Sequence, residues 1–355
     1  MVSTPTLVHS RTCVKLDTGR LAFRTIEIPE PGPGEAIVRT TLATVCGSDI
    51  HFLDEFPMPR GVAYVPMGHE AVGIVHALGP GVTSFKVGDR VVASCLYGCG
   101  TCANCQRGEI ALCLTFGTIP GITNALTGCQ GEFYRVPNAD LNMARVPDGL
   151  TDEQAILVGD VMSTGFAAVE RAGVDTGDVV VILGQGPVGL CATAASRLRG
   201  AGLIIAVERV PERMALAQRL GATLAIPPEA ATDHVLRATN GRGADVAIEA
   251  VGLPETFELA LAVTRLGGTV SSVGVYGAIR HLTVPVTGNF YQRRIVTTLC
   301  PAGSDRLRRL LDLVRFARFD PSLLFTHELP LAEVVRAYEL FRRREGGAIK
   351  IALRP

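Results

Sequence analysis

The sequence contains no tryptophan, and aromatic residues make up only 5% of its 355 residues. Charged residues are also scarce, at 19%, and the 34 lysines and arginines balance the 34 aspartates and glutamates. A chain without excess positive charge is not suited to a nucleic-acid backbone, because that affinity comes from basic side chains. The 47% hydrophobic content excludes a disordered chain and, at this length, indicates two folded domains.

Long uninterrupted apolar segments are lacking as well. The uncharged stretch 179–196 has 18 residues, the lower limit for a membrane span, but the glycines and proline in its middle would break a spanning helix. The first 19 residues contain no apolar core of the kind that secretory signals carry. We therefore expect a cytoplasmic protein without membrane contact, in which cysteine thiols stay reduced.

Ten cysteines are too few for a disulfide scaffold in a chain of this length. Four of them follow the spacing C-x2-C-x2-C-x7-C, and these are Cys99, Cys102, Cys105 and Cys113. Four thiolates from one short segment can surround a zinc ion completely, so the pattern predicts a structural zinc site. An iron–sulfur cluster and unliganded thiols are the alternatives. Five further cysteines are interpreted as packing residues: Cys13, Cys95, Cys129, Cys191 and Cys300.

The pattern of the chain changes near residue 155. Before that point, short apolar runs separated by glycine, proline and aspartate predict a β-rich domain. After it, β-branched runs alternate with helical patterns, as in a doubly wound parallel sheet. The predicted strands and helices of this part are, in order, 179–183, 188–199, 203–207, 211–220, 245–252, 254–265 and 269–275.

A glycine-rich turn directly follows the first strand of this parallel sheet. The segment GQGPVG fits G-x-G-x-x-G and opens a helix, the context in which this motif binds a dinucleotide pyrophosphate. The residues concerned are Gly184, Gly186, Pro187, Val188 and Gly189. Glu208 follows the next strand, where a carboxylate accepts hydrogen bonds from the ribose hydroxyls of NAD. Arg209 and Arg213 could instead hold the 2′-phosphate of NADP, so NAD is favoured while NADP stays open.

Further segments resemble one family over nearly the whole chain. The zinc-dependent medium-chain alcohol dehydrogenases share CGSDIH, GHEAVGIV, VGDRVV, the four-cysteine segment and ILGQGPVGL. Within that family, the microbial secondary-alcohol dehydrogenases are most similar, through GEFYRVPNADLN, DVMSTGF, RLRGAG and TLCPAG. The resemblance implies an α/β protein with a Rossmann doubly wound domain over 161–300. It also implies a β-rich GroES-like catalytic domain over 1–160, to which 301–355 returns.

The resemblance implies a second, catalytic zinc ion. Cys46, His69 and Asp160 fall on its ligands, and Glu70 falls on a carboxylate that lies beside the metal. Asp49 falls on the residue that orients the ring of His69, which is a recurring arrangement around metal-binding histidines.

The resemblance also assigns proton-transfer and cofactor positions. Ser48 falls on the hydroxyl that takes the alcohol proton, and His51 falls on the next station of that relay. Three positions fall near the nicotinamide, namely Thr164, Val273 and Val275. Lys350 falls near the pyrophosphate.

Two features depart from the most similar subgroup. Val207, Glu208 and Arg209 stand where that subgroup usually has an NADP-binding Gly-Ser-Arg type segment, and several of its members lack the four-cysteine segment. We therefore expect a small secondary alcohol or ketone as substrate, NAD, two zinc ions per chain, and a homodimer or homotetramer. A polyol or sugar dehydrogenase of the same family is the alternative. A non-enzymatic protein that has kept the fold is disfavoured, because such a protein need not keep an open metal site.

Overall fold

The computed structural model describes residues 7–116, 128–286 and 290–355. Of the other residues, 1–6 and 117–127 belong to the predicted catalytic domain and 287–289 to the predicted dinucleotide domain. Of the first 19 residues, the structure therefore describes 7–19. The chain divides into two compact units, the first being Met1–Ser163 with Cys300–Pro355 and the second Thr164–Leu299. Of the helices formed by described residues, none has the length and apolar content that a membrane crossing requires.

Helices and strands are numbered in chain order within the described residues. The strands are β1 (Val8–Asp17), β2 (Arg20–Ile28), β3 (Ala36–Thr44), β4 (Val65–Pro66), β5 (Ala71–Leu78), β6 (Arg90–Ala93), β7 (Phe133–Val136), β8 (Met143–Arg145), β9 (Val179–Leu183), β10 (Leu203–Val207), β11 (Leu224–Ile226), β12 (Ala244–Glu249), β13 (Thr264–Ser272), β14 (Arg294–Thr297), β15 (Phe325–Pro330) and β16 (Lys350–Arg354). The α-helices are α1 (Gly47–Glu55), α2 (Ala103–Gln106), α3 (Ala139–Asn142), α4 (Asp152–Ile156), α5 (Val161–Ala172), α6 (Pro187–Leu198), α7 (Pro211–Leu220), α8 (Ala231–Ala238), α9 (Pro254–Val263), α10 (Ser304–Arg315) and α11 (Val334–Arg343).

The first unit contains two β-sheets. In the smaller sheet β1 lies between β2 and β4, and the larger sheet has the order β15-β16-β3-β5-β6-β8, with β7 also paired to β3. β16, from the C-terminal segment, runs antiparallel to β3 and aligns Ala352 with Thr44. β3 in turn runs antiparallel to β5 and aligns Ala43 with Ala71. This register brings the end of β3 and the starts of β5 and β16 to one place.

The second unit is built on a six-stranded parallel sheet. Its order is β11-β10-β9-β12-β13-β14, which is the 3-2-1-4-5-6 order of the Rossmann fold. The central strand β9 is buried along its whole length, as β-branched runs are when helices cover both faces of a sheet. Helices α6, α7 and α9 each begin with a proline, whose missing N–H would have had no partner in the first turn.

The predicted fold class is confirmed, with a doubly wound parallel sheet and a β-rich part. The strands predicted at 179–183 and 203–207 coincide with β9 and β10, and the helix at 211–220 coincides with α7. The strand predicted at 269–275 is displaced, because Thr264 already pairs with Ala244 of β12 and the strand ends at Ser272. Val273 and Val275 consequently lie in the loop that follows β13.

Candidate active site

Four side chains that can bind a metal meet in the first unit. Cys46 follows β3 and caps α1, His69 and Glu70 precede β5, and Asp160 precedes α5. One ligand atom of each residue lies within 4.8 Å of the others. A thiolate, an imidazole and carboxylates are donors that Zn²⁺ prefers, so this set fits a zinc ion.

The carboxylate of Glu70 provides an independent test of that fit. Its Oε2 accepts hydrogen bonds from Thr44 Oγ1 and Lys350 Nζ. Its Oε1 is buried and has no hydrogen-bond partner among the described residues. Because a buried acceptor without a partner is costly, this oxygen is suited to a cation.

Lys350, which the sequence analysis expects beside a pyrophosphate, lies within this polar cluster. Its side chain is 0% exposed, and its ammonium forms an ion pair with Glu70 and lies 3.4 Å from the Val45 carbonyl oxygen. Burial lowers the pKa of this ammonium, but the charges of Glu70, Cys46 and Asp160 together outweigh burial, so the pKa of Lys350 is raised. Lys350 therefore neutralises Glu70, and its expected place beside a pyrophosphate stays a prediction. Pairing of β16 with β3 brings it here.

The imidazole of His69 is held at both nitrogens. Nδ1 lies 2.9 Å from Asp49 Oδ1, and Nε2 lies 3.2 Å from Asp160 Oδ2. Asp49 also accepts the Cys46 backbone N–H at 2.9 Å, so the same carboxylate fixes the start of α1. Burial raises the pKa of Asp160, but the hydrogen bond and charge of His69, the charge of Lys350 and the hydrogen bond of Cys46 together outweigh burial, so the net pKa is lowered. Asp160 is thus anionic and able to act as a ligand.

Two residues that the sequence analysis missed hold Asp49 in place. Gln130 Nε2 donates to Asp49 Oδ2 at 3.2 Å, and the Tyr338 hydroxyl donates to Gln130 Oε1 at 2.8 Å. Both side chains are buried. Gly68 makes room for Gln130, because a Cβ at this position would lie 2.4 Å from Gln130 Cγ. No sequence signal links these residues, since Gln130 and Tyr338 are 208 positions apart.

The two residues expected to relay a proton lie on α1, beside the metal ligands. Ser48 Oγ is 4.0 Å from Cys46 Sγ. His51 lies three positions further along the same helix face, and its Nδ1 is 2.6 Å from Glu55 Oε1. The side chain of His51 is 34% exposed, so its imidazole can exchange protons with solvent.

The four cysteines of the predicted structural site form a second cluster in the same unit, with all sulfur atoms within 4.8 Å of one another. The backbone N–H groups of Cys102 and Thr101 donate to Cys99 Sγ at 3.2 and 3.4 Å, and that of Cys99 donates to Cys113 Sγ at 3.3 Å. Hydrogen bonds from the side chains of Thr101 and Thr115 lower the pKa of Cys99 to about 5. Burial raises the pKa of the Cys105 thiol. Four sulfur atoms in this arrangement fit a tetrahedral zinc ion.

The second unit gathers most of the expected cofactor residues at the carboxyl edge of its sheet. Gly184 follows β9 with φ at +84°, and a Cβ on Gly189 would lie 1.9 Å from the Gly184 carbonyl oxygen. Gly186 caps α6 and has open space where a Cβ would stand, which fits close approach by a ligand. The other residues at this edge or on the helices of the unit are Pro187, Val188, Arg213, Val273, Val275 and Thr164.

Glu208 lies at the same edge and contacts the glycine turn. Its Oε2 accepts the Gln185 backbone N–H at 2.9 Å, and its Oε1 accepts the Arg209 backbone N–H at 2.7 Å. The Arg209 guanidinium pairs with Glu229 at 3.1 Å. A carboxylate bonded to the glycine turn at this edge fits a nicotinamide dinucleotide, because it can accept hydrogen bonds from ribose hydroxyls.

Known proteins match both units. Residues 32–148 match the family model of the alcohol dehydrogenase GroES-like domain, and residues 187–315 match that of zinc-binding dehydrogenases. An alcohol dehydrogenase of Cupriavidus necator is 38% identical over 97% of this chain and 98% of its own length. An NADP-dependent isopropanol dehydrogenase of Thermoanaerobacter brockii is 37% identical over 88% of this chain and 90% of its own.

A solved structure agrees with these sequence matches. The alcohol dehydrogenase TADH from Thermus sp. ATN1 has a TM-score of 0.87 and 36% identity, covering 97% of this chain and 99% of its own. The resemblance noted from the sequence is thereby confirmed. The chain belongs to the zinc-dependent medium-chain alcohol dehydrogenases.

Proposed function

We propose that the protein transfers a hydride between a small secondary alcohol and the corresponding ketone, with NAD as coenzyme and two zinc ions per chain. The observation that carries this proposal is the buried group of Cys46, His69, Glu70 and Asp160 beside the hydroxyl of Ser48. When bound, zinc supplies Lewis-acid polarisation of the substrate oxygen, and the nicotinamide supplies hydride transfer.

The residues of the chain hold the metal and move the proton. Three of the protein ligands suffice to bind zinc and leave a coordination position for substrate. Ser48 Oγ takes the proton of the alcohol, and His51 on the next turn of α1 releases it to solvent. Asp49 keeps the His69 ring oriented throughout, because its bond to Nδ1 directs Nε2 towards the other ligands.

The choice of a secondary alcohol over a polyol rests on the polar groups around the ligands. A polyol needs hydrogen-bonding partners for its additional hydroxyl groups. The nearby polar side chains bond to one another instead: Thr44 and Lys350 to Glu70, and Gln130 to Asp49. The isopropanol dehydrogenase among the relatives also supports a secondary alcohol.

The test is an absorbance assay of NADH formation with propan-2-ol, propan-1-ol and sorbitol. We expect kcat/KM for propan-2-ol to exceed both others by at least about tenfold, the lower end of the discrimination that contacts in an apolar pocket provide. A higher kcat/KM for sorbitol would overturn the secondary-alcohol proposal in favour of the polyol alternative. Absence of turnover with all three, in protein that holds two zinc ions, would support a non-enzymatic role.

The coenzyme is tested at Glu208. A 2′-phosphate would be repelled by this carboxylate, whereas a 2′-hydroxyl can donate a hydrogen bond to it. Glu208→Gln keeps the shape and removes the charge, so we expect the ratio of kcat/KM for NAD over NADP to fall about tenfold, equivalent to about 1.4 kcal/mol. A wild type that prefers NADP, or an unchanged ratio in the variant, would overturn the choice of NAD.

We also propose that the chain forms a homodimer or homotetramer. β14 is the edge strand of the parallel sheet, and its Ile295 is 42% exposed. An exposed apolar edge strand can pair with the same strand of another copy. Light scattering coupled to size-exclusion chromatography measures the mass; a monomeric mass at micromolar concentration would contradict this.

A further inference from the structure

A third group of metal-ligating atoms lies beside the candidate zinc site and shares one residue with it. One ligand atom each from Cys95, Cys300 and Asp160 lies within 4.8 Å of the others. All three residues are buried. From the sequence alone, both cysteines are interpreted as packing residues, because they are far apart and no spacing motif connects them.

The segments that carry these residues are fixed to one another by hydrogen bonds. The Cys95 backbone N–H donates to the carbonyl oxygen of Gly159, directly before the shared aspartate, at 3.0 Å. The backbone N–H of Gly303 donates at 3.0 Å to Ser94 Oγ, which ties the segment after Cys300 to the segment before Cys95. The three side chains are therefore positioned before any ligand binds, which favours a binding site.

The two thiols lie close to each other and to the shared aspartate. Cys300 Sγ also lies 3.5 Å from the Asp160 carbonyl oxygen. Two sulfur atoms and a carboxylate thus lie close together in a buried space, and this set of donors suits a soft cation.

We propose that Cys95, Cys300 and Asp160 form a third metal site, which takes a soft divalent ion such as Zn²⁺ or Cd²⁺. Thiolates select ions of this class over the hard ions Mg²⁺ and Ca²⁺. Two thiolates balance the charge of the ion, each thiol losing its proton to solvent, and Asp160 supplies the third ligand. This site binds more weakly than the site of Cys46 and His69, because it has to share the carboxylate.

Because the third site shares Asp160 with the site of Cys46 and His69, an ion bound there should lower turnover. An ion held by Cys95 and Cys300 attracts the carboxylate away from the ion held by Cys46 and His69. Excess soft metal should therefore inhibit the enzyme reversibly, and a chelator should restore its activity. This consequence depends on the proposed function, whereas metal binding by itself does not.

The experiment is a titration of the zinc-loaded protein with Cd²⁺, kept reduced by a phosphine. Equilibrium dialysis gives the total of zinc and cadmium per chain, and ultraviolet absorption reports new thiolate–cadmium bonds. We expect the wild type to bind one more metal ion per chain in this titration than the zinc-loaded protein contains at its start. Cys95→Ala and Cys300→Ala should lose that equivalent, whereas the control Cys13→Ala, a buried cysteine outside the cluster, should keep it.

Inhibition is measured on the same samples with propan-2-ol and NAD. The Cd²⁺ concentration that halves wild-type turnover should rise at least about tenfold in Cys95→Ala and Cys300→Ala, matching the loss of a ligand. A wild type that binds no additional equivalent, or an additional equivalent that persists in both variants, would overturn the proposal. Two positions keep the test decisive if one variant does not fold. The metal count does not depend on turnover, so it distinguishes failure of the third metal site from failure of the proposed function.

Discussion

The two predicted zinc sites of the first unit differ in how the chain builds them. The four-cysteine site takes all its ligands from one short segment, and backbone N–H groups stabilise its sulfur atoms. The site of Cys46, His69 and Asp160 takes its ligands from segments up to 114 positions apart and is held by other side chains. The first arrangement saturates a metal; the second leaves a position open.

This difference implies that the four-cysteine site serves stability and that the open site serves catalysis. A site saturated by thiolates cannot bind substrate, so its metal contributes to the folded state alone. The open site is surrounded by buried groups whose hydrogen bonds fix the ligands and balance their charges, namely Asp49, Gln130 and Lys350. The following predictions test whether the two roles can be separated.

The largest effect is expected at the open site. Cys46→Ser and His69→Ala should each lower kcat by on the order of a thousandfold or more, since a Lewis-acid metal contributes several kcal/mol to catalysis. Zinc analysis should still find the metal of the four-cysteine site, and NADH titration should show nearly unchanged binding. Near-normal turnover in a zinc-analysed Cys46→Ser sample would contradict a zinc mechanism.

The next effect is expected at the four-cysteine site and concerns stability. Cys105→Ser should remove one zinc ion and lower the melting temperature by on the order of 10 °C, as the loss of a few kcal/mol does in a protein of this size. The folded variant, assayed well below its melting temperature, should keep kcat within a few-fold of the wild type. A collapse of kcat without any change in melting temperature would show that the two sites are not separate in role.

The contrast between the sites also explains what the sequence could predict. The four-cysteine site follows from local spacing, and β9 and β10 follow from local runs of β-branched residues. Cys46, His69 and Asp160 could be grouped only through resemblance to a family, because strand pairing and not spacing brings them together. The resemblance implies a place for Lys350 near a pyrophosphate, but not its contact with Glu70, a partner 280 positions away. Contacts between residues so far apart in the sequence produce no periodic pattern from which they could be predicted.

A smaller effect is expected from the residue that orients His69. Asp49→Asn should weaken zinc binding at the open site about 10–100-fold, the usual cost of altering a carboxylate behind a metal-bound histidine. A chelator competition assay measures this affinity. Asp54→Asn is the matched control, because Asp54 lies on the same helix but pairs with Arg342 at the surface. Equal zinc affinities in the two variants would show that Asp49 does not support zinc binding at the open site.

The smallest effect is expected from Tyr338, which acts on the site through Gln130. Tyr338→Phe keeps the ring and removes one hydrogen bond worth about 1 kcal/mol, so zinc affinity at the open site should fall about fivefold. The four-cysteine zinc should be retained as in the wild type. A lower melting temperature with unchanged zinc affinity would mean that this hydrogen bond supports the fold and not the site.

The separation of roles is tested most directly by stepwise removal of zinc with a chelator, with zinc content, kcat and melting temperature measured on the same samples. The open site should release its metal first, because it has fewer permanent ligands. We predict that turnover disappears with the first zinc ion while the melting temperature changes little, and that the melting temperature falls only with the second. Turnover that survives loss of the first ion and disappears together with the folded state would contradict the account.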